Sequence, residues 1–210
     1  MQIVHYLYLK LYLGKTENIF KYLVNVYCFE GTHFKEQSMF LKQKVEEFKA
    51  KILCVDTNGL GAGILDFLVL ETGDYPPYSV VNDDRFDKYT TDKSIPMIYS
   101  IKAQSKETRN SDMINHFMNV VSNHKINFLV PEAMGTKDIY ASKKKMESEE
   151  FARLSVPYIN TDILMEEIMN LEYVQSGKET RTKRVSHKIN QDKWSSCMYG
   201  LWWTLFRRAK

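Results

Sequence analysis

The chain is poor in cysteine, with three among 210 residues. Cys28, Cys54 and Cys197 lie in apolar patterns without metal-ligand spacing, which excludes a zinc module or a disulfide framework. They are expected to be reduced core residues in an intracellular setting. No GxxxxGKS or GxxxxGKT occurs anywhere, so a phosphate-cradling ATPase loop is excluded. No apolar run reaches the roughly 18 residues of a membrane span, so no membrane partner is expected. The amino-terminal MQIVHYLYLKLYLG lacks a basic leader and alternates like a strand, unlike a signal peptide. No internal repeat and no low-complexity tract is present.

What is there reads as ordinary globular material. Hydrophobic residues make up 44% and charged residues 26%, enough for one α/β domain spanning 1–210 with a real core. The net charge of +3 is unevenly spread. From Lys178 to Lys210 nine Lys/Arg face two acids, a balance of +7 that leaves −4 for the remainder. Segment 178–190 is its surface-exposed core, carrying Arg181, Lys183, Arg184, His187 and Lys188. A basic segment on a mildly acidic body points to a polyanion at one face. A solvated surface stretch explains the same charge equally well.

Periodicity divides the chain into elements. Residues 3–13 alternate and, with Phe20–Phe29, predict an antiparallel hairpin around the turn-forming 14–18. A helix over 33–49 carries Phe34, Leu41, Val45 and Phe48 on one stripe. Strands are predicted at Ile52–Val55, Ser79–Val81, Met97–Ala103 and Ile126–Val130. Asn82–Thr91 reads as a polar loop. Helices follow at Ser111–Ser122 and Asp138–Leu154, and a third opens after an N-cap at Thr161 or Asp162 and runs through Leu171. The final helix, Gln191–Arg208, has the broadest apolar face: Trp194, Cys197, Met198, Leu201, Trp202, Leu205 and Phe206.

The stretch Lys51–Leu70, KILCVDTNGLGAGILDFLVL, is the chemical centre of gravity. A buried apolar strand ends on Asp56, a turn follows at Thr57-Asn58-Gly59, and Gly61 and Gly63 precede a helical pattern. A carboxylate at the tip of such a strand is where α/β sheets place their chemistry. The acid precedes the glycines, unlike a dinucleotide fingerprint. Two readings stay open from these residues alone. Asp56 is a hard oxygen ligand for Mg²⁺ or Mn²⁺, or it merely opens an Asx turn or caps the next helix.

Taken together, CVDTNGLGAGILDFL, the IKA at Ile101–Ala103, MEEIMNLEYV and the terminal QDKWSSCMYGLWW resemble the C-terminal nuclease domain of tailed-phage terminase large subunits. The resemblance runs from about Val24 to Trp203. It implies an α/β, RNase H-like mixed sheet flanked by helices. It implies an endonuclease that cuts double-stranded DNA concatemers during genome packaging, in the cytoplasm of a bacterial host. Three acids would surround two Mg²⁺ or Mn²⁺ ions, with Asp56 as the second and Asp192 as the third. One ion would generate hydroxide and the other would stabilise the leaving oxygen. Glycines 59, 61 and 63 would let the DNA backbone approach, and the basic segment would hold phosphates. The implied partners are the terminase ATPase domain, the small terminase subunit and the portal.

The family's first acid lies on a strand ahead of the hairpin, and no Asp precedes Asp56. Glu17, Glu30, Glu36, Glu46 and Glu47 fall in the wrong elements for it. The expectation is a chain that starts just after that first strand, lacks the ATPase domain, and cuts weakly or not at all by itself. Substitutes for the missing ligand would be Asp83, Asp84 or Asp66, otherwise expected to be a solvated turn and a helix-surface residue. The rival readings are a non-catalytic remnant that docks DNA or a packaging protein, and another RNase H-like nuclease such as a resolvase.

Overall fold

A computed structural model describes residues 3–13, 19–58, 61–102, 110–142 and 145–205, with backbone alone for 3–13 and 19–20. The chain is α/β and divides into two compact units. One comprises Met1–Val4, Phe29–Asn110 and Trp202–Lys210; the other comprises His5–Cys28 and Ser111–Leu201. Among the described residues, no helix is long and apolar enough to cross a membrane. The alternating amino-terminal segments form neighbouring strands, β1 (Ile3–Leu13) and β2 (Ile19–Glu30).

The first unit continues with α1 (Phe34–Phe48), β3 (Leu53–Asp56), α2 (Gly61–Leu68), β4 (Tyr78–Val80), a 3-10 helix over Asp84–Tyr89, and β5 (Ile95–Ile101). The sheet order is β3-β5-β4 and both pairings are parallel, with Asp56 opposite Ile101 and Tyr78 opposite Ile95. Parallel neighbours need long crossovers: the path from β3 to β5 runs through α2 and β4, and that from β4 to β5 through the 3-10 helix. Central β5 is buried almost continuously at Met97, Ile98, Ser100 and Ile101, as a strand with neighbours on both sides should be. The expected buried strand at Ile52–Val55 is an outer strand of this sheet, and only Val55 is fully buried. The expected loop at Asn82–Thr91 contains the 3-10 helix, opened by Asp83, whose side chain accepts the Arg85 N–H.

Helix α1 starts at His33, whose Nδ1 accepts the Lys35 N–H at 3.2 Å, and ends at Lys49 in the left-handed region. Its predicted stripe buries Leu41 and Val45 but leaves Phe34 and Phe48 half-buried. A polar residue shares the covered face. Lys42 is fully buried; its ammonium donates to the carbonyls of Leu70 and Pro76 and sits 5.1 Å from the Tyr78 ring centre. Burial lowers its pKa from 10.5 to about 8, against the opposing pull of Glu71. A lysine so shifted binds fewer protons folded than unfolded. Its contribution to stability is therefore present above about 10.5 and is lost as pH falls through about 8. Thermal unfolding of wild type and Lys42→Met from pH 7 to 11 is the measurement. Wild type should gain stability relative to Lys42→Met as pH rises from about 8 to about 10.5; a difference independent of pH would refute the assignment.

The second unit contains α3 (Asn110–Ser122, from Ser111 onward), β6 (Ile126–Asn127), α4 (Glu132–Ser142), α5 (Ser148–Met169), β7 (Leu171–Ser176), β8 (Glu179–Arg184) and most of α6 (Asp192–Trp203). Its core joins Met113, Ile114 and Phe117 of α3 to Trp194, Cys197, Met198 and Leu201 of α6, with the Phe117 and Trp194 rings edge to face at 6.0 Å. Strand β6 pairs parallel with β2 through two residues only, shorter than the predicted Ile126–Val130, because the chain turns at Pro131 into α4.

The predicted helix over Asp138–Leu154 is corrected to two: α4 ends at Ser142, residues 145–147 are not helical, and α5 begins at Ser148. The predicted N-cap at Thr161 or Asp162 is corrected too, since both lie inside α5. Pro157 does not stop that helix; the hydroxyl of Thr161 donates back to the Pro157 carbonyl at 2.7 Å. Asp162 does cap a helix, but through space: its Oδ2 accepts the Glu132 N–H of α4 at 3.0 Å. The α6 helix ends at Trp203, and the predicted tail beyond 205 lies outside the described residues.

The three cysteines are free. Cys197 is buried and Cys54 half-buried, and burial pushes both thiols up to about 12. Cys28 is exposed, contrary to the expected core position, and its Sγ donates to Asn160 Oδ1 of α5 at 3.4 Å.

Candidate functional site at the carboxyl edge of the parallel sheet

Asp56 is the last residue of β3 and is half-buried. Its Oδ1 accepts the Asn58 N–H at 3.0 Å, an Asx turn that fixes the carboxylate against its own loop. The backbone N–H of Thr57 reaches the Ile101 carbonyl at 3.1 Å and extends the β3–β5 ladder by one residue. Its hydroxyl shares a 2.7 Å hydrogen bond with Ser100 Oγ.

From Ser100 the network crosses to the end of β4. The side chain of Asn82 clamps the backbone of Ser100: Oδ1 accepts its N–H at 2.7 Å and Nδ2 donates to its carbonyl at 2.9 Å. The Ser100 hydroxyl donates to Asp83 Oδ2 at 3.2 Å. Arg85 grips the same carboxylate through Nε at 3.0 Å and Nη2 at 2.9 Å, and Lys102 Nζ stands 2.8 Å from Oδ2. Asp83 is 6% exposed. The Arg85 hydrogen bonds, with those of Lys102, hold its carboxyl well below the usual carboxylate range against the cost of burial.

Asp83 is therefore not the expected solvated turn, and it is a poor substitute metal ligand. Its lone pairs already serve two cations and a hydroxyl. Asp84 is exposed on the 3-10 helix and Asp66 is exposed on α2.

Gly61 and Gly63 are required by contacts within the chain. A Cβ on Gly61 would stand 2.0 Å from the Asp56 carbonyl oxygen, and one on Gly63 would stand 2.4 Å from the Phe34 ring. Both admit close contact within the unit, α2 against the β3 tip and against α1. Gly59 lies outside the described residues.

Asp192 belongs to the second unit, exposed as the first residue of α6, where its charge complements the positive end of the helix. Asp56 belongs to the first unit. Beside Asp192 lies an acid that sequence reasoning missed. Glu167 of α5 is 1% exposed; its Oε2 accepts the Trp194 N–H at 3.0 Å, and Lys193 Nζ is 3.8 Å from Oε1. Burial raises its pKa, and the charge of Asp192 adds to the rise, while Trp194 N–H and Lys193 oppose it. The available signal was its spacing: an acid three residues after Leu164, on the face that Asn160 and Thr161 also occupy.

The basic segment forms a two-stranded ribbon, β7 with β8, joined by a two-residue turn with Gly177 at φ 61°. Asn170 clamps its base, its side chain bonding the Ser186 backbone in both directions at 2.8 and 2.9 Å. Register places Lys183 opposite Glu172 and Arg181 opposite Val174 on one exposed face, and Glu179 pairs with Arg181 at 3.0 Å. That face thus carries two acids among its bases. Arg184 points to the other face, where Nη1 donates to the Ile189 carbonyl at 3.3 Å. His187 and Lys188 are exposed beyond the strand.

Among the described residues, no group of three or more His, Cys, Asp or Glu side chains stands where it could hold a metal ion. No protein-family model, no curated protein and no solved structure matches the chain.

Proposed function

We propose that the protein is an RNase H-like, divalent-metal-dependent endonuclease of the kind found in viral DNA-packaging terminases, acting on double-stranded DNA and weak on its own. The supporting observation is Asp56, a carboxylate held by an Asx turn at the carboxyl end of a parallel strand, the usual location of chemistry in such sheets. Asp192 is the second carboxylate of this reading, and Mg²⁺ or Mn²⁺ its cofactor. Arg181, Lys183, Arg184, His187 and Lys188 would contact phosphates without reading sequence. The ATPase domain, small subunit and portal remain the partners of this reading, and a host cytoplasm its location.

A second reading, a DNA-docking module without catalysis, rests on the basic ribbon, whose contacts to phosphates would need no metal. Nicking of supercoiled plasmid by the purified chain, with Mg²⁺ or Mn²⁺, separates the two. Slow nicking that disappears in both Asp56→Ala and Asp192→Ala is the expected result. Nicking at an unchanged rate in Asp56→Ala would refute the site. Salt-dependent DNA affinity with no metal-dependent nicking would establish the docking module instead.

A further inference from the structure

Lys102 and Arg85 are the strongest unexplained feature of the first unit. Neither belongs to the basic ribbon, and neither supports the sheet by packing: Arg85 is 59% exposed and Lys102 27% exposed at the side chain. Yet both head groups are anchored on one carboxylate that is itself 2% exposed. Two cations thus meet on one buried anion at the carboxyl edge of a parallel sheet. This edge is where ligands of α/β folds bind.

We propose that Lys102 and Arg85 form a phosphate-binding subsite beside Asp56, taking a phosphodiester oxygen of the DNA backbone. The proposal rests on the reading that the protein handles DNA and names where a phosphate sits. Lys102 lies one residue past Ile101, the register partner of Asp56. A chain of hydrogen bonds, Thr57 Oγ1 to Ser100 Oγ at 2.7 Å and on to Asp83 Oδ2 at 3.2 Å, links the residue after Asp56 to the carboxylate that holds Lys102. An ammonium has three donors and a guanidinium five. Asp83 engages one from Lys102 and two from the side chain of Arg85. The remaining donors suit a tetrahedral oxyanion, and Asp83 has already restricted the rotamers that binding would otherwise freeze. Asp83 is in this account a positioning residue.

The test is the affinity of the full chain for a short duplex DNA across a salt series, without divalent metal, so that its outcome is independent of cleavage. Lys102→Met and Arg85→Gln should each weaken binding several-fold near 0.1 M salt and lower the salt slope, by about 0.9 in total when combined, the share of one phosphate. Lys102→Arg should retain both. Arg85→Gln replaces an exposed side chain, and a wild-type melting temperature confirms that it folds. DNA binding with unchanged slope in both variants would overturn the subsite while leaving the nuclease reading intact. Should wild type bind no DNA at all, the function falls, and the subsite is then read with inorganic pyrophosphate. A rise in melting temperature that is absent from Lys102→Met supports an anion site; no rise in wild type overturns it.

Discussion

Gly61→Ala should lower the free energy of unfolding by about 3 kcal/mol, at the upper end of what overpacking costs. The added methyl would sit 2.0 Å from the Asp56 carbonyl oxygen and 3.2 Å from Cγ1 of Val55. The obstructing atom is backbone, so no rotamer change relieves it. Either the first turn of α2 lifts off β3 or the tip of β3 is displaced, and with it Asp56 and the Thr57 contact to Ile101. Gly63→Ala meets the Phe34 ring at 2.4 Å. A half-buried ring on α1 can swing aside, so the expected loss there is smaller, about 1 kcal/mol. Urea unfolding of the two variants tests the order. Equal stability of Gly61→Ala and wild type would show that α2 does not enter as close to Asp56 as described. The same experiment tests why the glycines are there, since a requirement set only by approaching DNA predicts no loss in the free protein.

How much of this was legible in the sequence depends on whether the cause was local. The strand ending on Asp56 is written as a short apolar run and the stripes of α3 and α6 in a period of 3.6, and they emerge within a few residues of expectation. The α4–α5 boundary was misplaced because its signals are tertiary. Asp162 looks like the start of a helix, yet it caps α4 from the middle of α5, and Gly135 is small because the Tyr158 ring lies on it, with Cδ1 2.3 Å from a built Cβ. Pro157 lies inside α5 without ending it, and the hydroxyls of Ser155 and Thr161 bond the carbonyls of Phe151 and Pro157 in the same helix.

The site divides in the same way. Asp56 was visible because a strand, an acid and a turn follow one another in the chain. The Asp83–Arg85–Lys102 cluster was not, because it forms only when parallel pairing sets the end of β5 beside the end of β4. A run such as Asn82-Asp83-Asp84 reads as solvated polar loop, and nothing in its composition reveals that one of its carboxylates is withdrawn from water.

Glu167 is the sharpest case of a buried acid unannounced by sequence, and Glu167→Ala should cost about 3 kcal/mol. The truncation leaves the Trp194 N–H without its acceptor in the first turn of α6 and removes the carboxylate facing Lys193, itself 7% exposed. Glu167→Gln keeps an acceptor for Trp194 and sheds the charge that burial opposes, so its loss should be under about 1 kcal/mol. The two variants also differ from wild type in their response to pH. A carboxyl whose folded pKa exceeds its usual 4.5 binds more protons folded than unfolded. Its contribution is present below about 4.5 and is lost as pH rises through the raised value. Relative to Glu167→Gln, wild type should therefore lose stability as pH rises from 4.5 toward neutrality. Denaturant unfolding across that range decides it. If the two curves stay parallel, Glu167 is not the withdrawn acid described. If Glu167→Ala is as stable as wild type, the Trp194 N–H has another acceptor. Either failure would remove Glu167 as the anchor of the first turn of α6, the turn on which Asp192 of the proposed nuclease stands.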